Sequence, residues 1–348
     1  MKRIAILIPV GEAVLGSIEG PHKIFTTVND FLADMGQPPM FSVMTVGITK
    51  DAQKYEGLFT VAPDHTIEDA GDVDLIVIPA IKGDIRNALE LNQAFVPWIQ
   101  DRHKSGTEVA SLCFGAFLLA STGLLNGKKC ATHWLAENDF RIMFPEVNLV
   151  PSKIITDEFG IYSSGGAYSF LNLILYLVEK YAGREIAILC AKVFEVEIDR
   201  NNQSQFIIFK GQKTHTDEPV KRAQQFIEEN FREKITVDQL ASEVALSRRS
   251  LERRFKKATS NTVVEYIQGV KVEAAKMRLE SSRDNVNEVM YNVGYTDTKA
   301  FRTAFKRITG LSPAQYKNKY NRQTENLGIQ NLLTREMQNN QEVQPHYN

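Results

Sequence analysis

The chain has 348 residues, enough for two domains of ordinary size that each bury a core. Its net charge of −1 gives no whole-chain attraction to nucleic acid, and three scattered cysteines exclude a disulfide framework or a CxxC metal site. No apolar run approaches the length of a membrane span, and so sparse a use of cysteine fits a reducing cytoplasm.

Met1-Lys2-Arg3 followed by residues 4–10 has the charge order of a signal peptide, but Pro9 and Glu12 break the apolar run and no small-residue cleavage site follows. Residues 3–8 read instead as a buried strand. A glycine-bearing loop (Gly11, Gly16, Gly20-Pro21) leads to a predicted helix at about 23–35, and residues 41–46 form a second strand. Residues 74–79 are a continuous apolar run bounded by turn residues, as in a parallel sheet covered on both faces. An amphipathic helix over 86–104, interrupted near Pro97, precedes a strand at 108–112 that runs into Cys113 and a helix to about 122. Strands are expected at 129–133 and 159–164, and helices at 167–181 and 184–196. The alternation predicts a doubly wound, flavodoxin-like α/β domain over residues 1–197.

Strand, sharp turn with Cys113, then helix is the pattern of a nucleophile elbow, where a helix N-terminus would lower the thiol pKa. Residues 111–120, then Gly123-Leu124-Leu125-Asn126-Gly127 and Ala131-Thr132-His133-Trp134, resemble the class 1 glutamine amidotransferase-like fold. Gly20-Pro21 with Ile24-Phe25, Tyr162-Ser163-Ser164-Gly165-Gly166, and the polar Asn201-Asn202-Gln203-Ser204-Gln205-Phe206 fit the same pattern. Hydrolytic relatives of that fold carry His directly after the cysteine, where this chain has Phe114. The superfamily's usual acid position, four before the Gly-Pro proline, holds Ser17; Glu12 or Glu19 would have to substitute. The resemblance therefore implies no catalytic residue, and an effector pocket lined by Cys113, Phe114, His133, Ser17 and Glu19. The six histidines have no metal-ligand spacing, and no Walker or GxGxxG loop is present, so neither metal nor cofactor is expected.

Residues 198–219 are polar and read as a linker. Within them, Phe206-Ile207-Ile208-Phe209 is expected to pack on the first domain, and residues 210–219 to form the hinge. Thr236-Val237-Asp238-Gln239 reads as a capping box opening a helix with Val237, Leu240, Ala241 and Val244 on one side. Val244-Ala245-Leu246 then makes a tight turn to Ser247, the N-cap of a second helix. On that helix Leu251 and Phe255 form an apolar stripe opposite Arg249, Glu252, Arg253 and Lys256. The pattern returns about fifty residues later. Asn285 with Glu288 opens a helix, Val289 and Val293 face inward, Gly294 supplies the turn, and Asp297 caps residues 298–307. Phe255-Lys256-Lys257-Ala258-Thr259 aligns with Phe305-Lys306-Arg307-Ile308-Thr309, and Leu251 with Phe301. A duplicated helix-turn-helix is a far more specific signal than one basic helix.

These residues, with Ile235-Thr236-Val237, Val293-Gly294-Tyr295, residues 301–306 and Thr309-Gly310-Leu311-Ser312-Pro313-Ala314-Gln315-Tyr316, resemble the DNA-binding domain of AraC-type transcriptional regulators. The resemblance implies an all-α domain over 220–320 with two helix-turn-helix units joined by a long helix at about 263–281. Lys271 stands where the family usually has Arg. Charge agrees: residues 212–322 hold 22 Lys+Arg against 14 Asp+Glu, and the remainder 19 against 28. Residues 321–348, with 11 Asn+Gln, read as a disordered tail with a short helix near Leu332.

Arg249, Glu252, Arg253, Lys299, Arg302 and Thr303 are expected to reach base edges, since Arg grips guanine bidentately and Glu accepts from cytosine. Lys256, Lys306 and Arg307 suit phosphates. The resemblance implies a regulator that binds double-stranded DNA and a small, nitrogen-bearing effector, forms a homodimer, contacts RNA polymerase and touches no membrane. The competing classes are a cysteine-dependent amidohydrolase with a DNA-binding appendage and a constitutive architectural DNA binder.

Overall fold

Lys2–Ile8 (β1) is the strand expected from the apolar run, and Ile4 to Ile8 are buried in succession because helices cover both faces of the sheet it lies in. The structure is a computed structural model describing residues 1–198 and 202–321. After β1 come α1 (Gly16–Asp34), β2 (Phe41–Gly47), β3 (Gln53–Tyr55), β4 (Phe59–Val61), β5 (His65–Thr66), β6 (Leu75–Ile78), α2 (Ile85–Leu91) and α3 (Phe95–Lys104). Next are β7 (Glu108–Leu112), α4 (Gly115–Ser121), β8 (Lys129–Cys130), α5 (Glu137–Met143), β9 (Asn148–Leu149), β10 (Ile155–Asp157), β11 (Ile161–Ser164), α6 (Phe170–Ala182) and α7 (Arg184–Val193). Seven strands form one sheet in the order β10-β11-β7-β6-β1-β2-β5, with only β10 antiparallel. Ile4, Ile6 and Ile8 point into a core with Phe25, Leu173 and Leu177 on α1 and α6, whereas Ala5 and Leu7 point into one with Phe95, Phe117 and Phe140. This is the doubly wound α/β architecture.

Three local expectations change. Gly20-Pro21 lies inside α1, not in a loop before it. Packing decides this: a Cβ on Gly20 would sit 2.8 Å from the Phe170 ring, so the glycine lets α1 lie against α6. The break in 86–104 falls at Asn92, not Pro97. Asn92 is fully buried and holds both the amide and the carbonyl of Val10 through its side chain (2.8 and 2.9 Å), while Pro97 sits in the first turn of α3, where no N–H is needed. The strand at 129–133 ends at Cys130, because Ala131 gives its amide to Ser163 Oγ and Thr132 gives its hydroxyl to the Cys113 carbonyl. Helix α5 was not foreseen; its turns are buried mainly through Phe140.

The chain divides into two compact units between Ser204 and Gln205. The second holds α8 (Glu218–Asn230), α9 (Val237–Glu243), α10 (Arg248–Thr259), α11 (Val263–Ser281), α12 (Val286–Asn292), α13 (Thr298–Thr309) and α14 (Pro313–Tyr320). Thr236, Ser247, Asn285 and Asp297 cap α9, α10, α12 and α13 through their side chains, as expected. The Asn285–Glu288 box closes in both directions; at Thr236 only the bond from the Gln239 amide forms. The duplication is physical as well as sequential. Phe255 meets Tyr266 edge-on at 5.3 Å and Phe305 meets Tyr316 at 5.4 Å. The two tyrosine hydroxyls donate to Glu228 and Glu280 (2.7 and 2.5 Å), and Thr259 and Thr309 each donate back to the preceding phenylalanine carbonyl at 2.8 Å. Each half has its own core, and α11 contributes to both. Removing either phenylalanine ring would cost about 3–5 kcal/mol.

The linker expectation is corrected. Phe209 packs on the helical unit's core, not on the first domain, and residues 207–217 lie along α8 and α11 as a strap. A glycine accounts for this: Gly269 of α11 leaves a notch in which a Cβ would be 2.7 Å from the Phe209 ring. Residues 202–204 belong to the α/β unit, where the buried Gln203 side chain donates to the carbonyls of Thr132, Pro151 and Lys153 and accepts from the Gly166 amide. The expected tail, residues 322–348, and Asn201 lie outside the described residues.

Candidate nucleic-acid interface and small-molecule pocket

At the end of β7, Cys113 adopts φ +53° and α4 begins two residues later, which is the elbow geometry expected from the sequence. Gly115 is required there, since a Cβ would lie 2.5 Å from the carbonyls of Ile78 and Pro79. The Cys113 amide donates to the Ser164 carbonyl (3.1 Å). Burial pushes its thiol up to about 12, against only the Phe114 amide, so the group is a protonated thiol at neutral pH. The expectation that the helix N-terminus would lower this pKa is overturned: desolvation outweighs a helix of two turns.

Cys113, Phe114 and His133 gather on one pocket of about 290 Å³. Its remaining wall is mainly apolar, with Val14, Ala80, Ile81, Ile85 and Ala167, and Lys82 is the cation in the lining. Phe114 lies between Phe117 (6.1 Å) and the His133 ring (5.7 Å), both near parallel to it. His133 Nδ1 accepts from the Leu135 amide (3.1 Å), so the neutral ring carries its proton on Nε2; burial lowers its pKa and keeps it neutral. Ser17 and Glu19 are not brought to this wall. Ser17 is fully buried, donates to the Val14 carbonyl (2.6 Å) and accepts from the Ala80 amide (2.9 Å), fixing two lining residues from behind. Glu19 is exposed on α1. The missed lining comes from the loops after β1, β6 and β11, with Ile85 at the start of α2. Their place at the carboxyl ends of parallel strands was the available signal.

In the helical unit, Arg249 and Arg253 on α10 and Lys299, Arg302, Thr303 and Lys306 on α13 are exposed and have no hydrogen-bond or ion-pair partner among the described residues. Glu252 is already engaged: it takes Arg248 Nε at 3.2 Å, and Arg248 also reaches Asp238 at 3.1 Å. Lys256 donates to the Ser260 carbonyl (2.7 Å) and approaches Glu265 at 3.6 Å, and Arg307 donates to Gln268. Lys271 is buried in α11 and donates to the carbonyls of Gly294 (2.9 Å) and Glu233 (3.4 Å), tying two turns to the shared helix. Two separate carbonyls suit the point charge of an ammonium, which needs no planar fork. Sequence reading missed Arg254, whose side chain faces back to Asp217 while its neighbour Arg253 faces out.

Residues 26–180 match the DJ-1/PfpI family and residues 240–319 the family described as a helix-turn-helix domain. The chain joins a DJ-1/PfpI domain to an AraC-type helix-turn-helix domain. The amidotransferase-like resemblance thus resolves to the DJ-1/PfpI branch, and the two domains together are those of AraC-type transcriptional regulators. The HTH-type transcriptional regulator GbdR of Pseudomonas aeruginosa is 26% identical over 73% of this chain and 68% of its own length. ArgR of the same species, also named an HTH-type transcriptional regulator, is 28% identical over 62% of this chain and 65% of its own. Among solved structures, a protein from Vibrio parahaemolyticus covers 55% of this chain and 98% of its own, with 24% identity and a TM-score of 0.50; that likeness bears on the fold alone. No helix among the described residues is long and apolar enough to cross a membrane.

Proposed function

We propose that this protein is a transcription regulator that grips duplex DNA with α10 and α13 and senses a small nitrogen-bearing metabolite in the DJ-1/PfpI pocket, without turning it over. The observation that carries the reading is the pair of equivalently capped helices, each presenting unpartnered cations outside its own apolar core. Arg249, Arg253, Lys299, Arg302 and Thr303 are the base-edge contacts, with Glu252 joining them only if Arg248 lets go. Lys306 serves phosphate directly, and Lys256 and Arg307 do so on leaving their present partners. The names of GbdR and ArgR support regulation as the use to which the domains are put.

The pocket supports recognition over catalysis. Nucleophilic attack needs a thiolate and a base to make it, whereas Cys113 holds a raised pKa, Phe114 replaces the adjacent histidine, and Ser17 is committed to the backbone. What remains is an apolar cavity with a neutral imidazole donor and one lysine. A thermal-shift screen of amino acids and amines on the full chain tests this. A ligand at about 100 times its Kd stabilises by about 2.7 kcal/mol, a shift of several degrees in the transition of the DJ-1/PfpI domain. Ala167→Trp, which crowds the lining, should abolish the shift, and the ligand should be recovered unchanged. No shift with any compound, or hydrolysis lost in Cys113→Ser, would contradict the reading.

A further inference from the structure

The two reading helices come from one repeat but are held differently. Their inward faces correspond residue for residue through Leu251 and Phe301, Phe255 and Phe305, and Thr259 and Thr309, all buried. Among the positions where the two repeats differ, two bear on how the helices are held: Arg254 against Ala304, and Asn261 against Leu311. Both departures in α10 and its following turn reach the strap. Arg254 Nε and Nη2 each lie 2.8 Å from one oxygen of Asp217, a bidentate pair with side chains 33% and 22% exposed. Asn261 Nδ2 donates to Gln212 Oε1 at 3.1 Å, and the Gln212 carbonyl is itself held by Gln224 at 2.9 Å. Ala304 has no such partner; it borders an open groove of about 630 Å³ with Val264, Gln268 and Ala300.

The strap is firmly seated. Lys276 donates to the Ile207 carbonyl (2.6 Å) and Glu273 accepts the Phe209 amide (2.9 Å). The Phe209 ring fills the Gly269 notch and meets Tyr266 edge-on at 5.1 Å, and Lys213 pairs with Glu228 at 2.6 Å. Its last residue, Asp217, is also the N-cap of α8, accepting from the Val220 amide. The chain arriving from the α/β unit is therefore bonded directly to α10 and its turn, whereas among the described residues α13 is tied to α11 through Arg307 and Gln268 and makes no bond to the strap. We infer that the strap positions the first reading helix alone, with Asp217 as the positioning residue, so that base reading at one half-site is subject to the linker and reading at the other is not. This rests on the proposal that both helices read DNA.

Asp217→Asn isolates the effect, because Asn caps a helix as well as Asp but removes the charge facing Arg254. The test uses the full chain, a duplex selected by the wild type from a random library, and single base-pair changes scored by anisotropy. Arg253→Ala identifies the half-site that α10 reads. Asp217→Asn should weaken binding about three- to ten-fold, with base-pair penalties compressed in the α10 half-site and unchanged in the other. Arg254→Met, which keeps the apolar stem, should reproduce the pattern, and it decides the matter if Asp217→Asn does not fold. Equal compression in both halves, or wild-type penalties in both variants, overturns the inference while leaving DNA reading intact. A wild type that selects no two-part site removes the underlying proposal, and this one with it.

Discussion

Cys113 and Arg249 each stand near the start of a helix that follows a tight turn, and the two units treat them in opposite ways. In the DJ-1/PfpI domain the polar groups around the elbow are turned inward and used up. The Cys113 thiol is buried and protonated, the Ser17 hydroxyl bridges two backbone segments, and His133 Nδ1 holds the Leu135 amide. In the AraC-type domain the cations are turned outward: Arg249, Arg253 and Arg302 have no partner among the described residues. A polar group already satisfied by its own fold stabilises the fold; one left unsatisfied in solvent is available to something else. The difference supports the proposed division, in which the helical unit meets a charged partner and the α/β unit offers an apolar cavity.

The comparison can be sharpened where the helical fold is most constrained. The two helix-turn-helix turns pass through positive φ at Ala245 (+54°) and Gly294 (+74°), but a Cβ on Gly294 would lie 2.0 Å from the Arg232 carbonyl oxygen. Gly294→Ala should destabilise the helical unit by about 3 kcal/mol or more, through left-handed strain plus the clash. Ala245→Gly should change stability by less than about 1 kcal/mol. Chemical denaturation followed in the helical unit measures both. A mild Gly294→Ala would mean that the second turn is as forgiving as the first.

The next effect concerns the other side of the comparison. The folded Cys113 pKa is raised to about 12, so the thiolate is scarce until pH approaches that value. Alkylation of native Cys113 by iodoacetamide should be about a hundred-fold or more slower than that of free cysteine at pH 8.5, and should show no midpoint between pH 6 and 9. Peptide mapping of the labelled native chain reports this residue separately from Cys130 and Cys190. A midpoint near pH 7 would restore an activated nucleophile and erase the contrast between the units.

Both domains were legible in the sequence for different reasons. The buried parallel strands announce themselves as apolar runs, and the duplicated caps, turns and phenylalanines fix the helical unit twice over. What was not legible depended on contacts made across the fold. Gly20-Pro21 looks like a turn until α6 needs the space, and Phe209 looks like a patch for the first domain until the Gly269 notch is seen. The pocket was half readable: Cys113, Phe114 and His133 carry motifs, whereas Ala80, Ile81 and Ala167 contribute shape rather than chemistry. Ser17 was placed by analogy with an acid position, and its hydroxyl proved to be bonded into the backbone. On α10 the helical period set Arg253 on the outer face and left Arg254 off it, but the Asp217 that claims Arg254 comes from the strap and was not legible.

The most direct test of a doubled reading surface is the base-pair dependence of binding in Arg253→Ala and Arg302→Ala, measured on the selected duplex and its single-site variants. Each substitution should cost about 1–3 kcal/mol at particular base pairs, with the two sets of positions about 10 base pairs apart, one helical turn. Uniform weakening across all sequences, or loss at the same base pairs in both variants, would contradict the account.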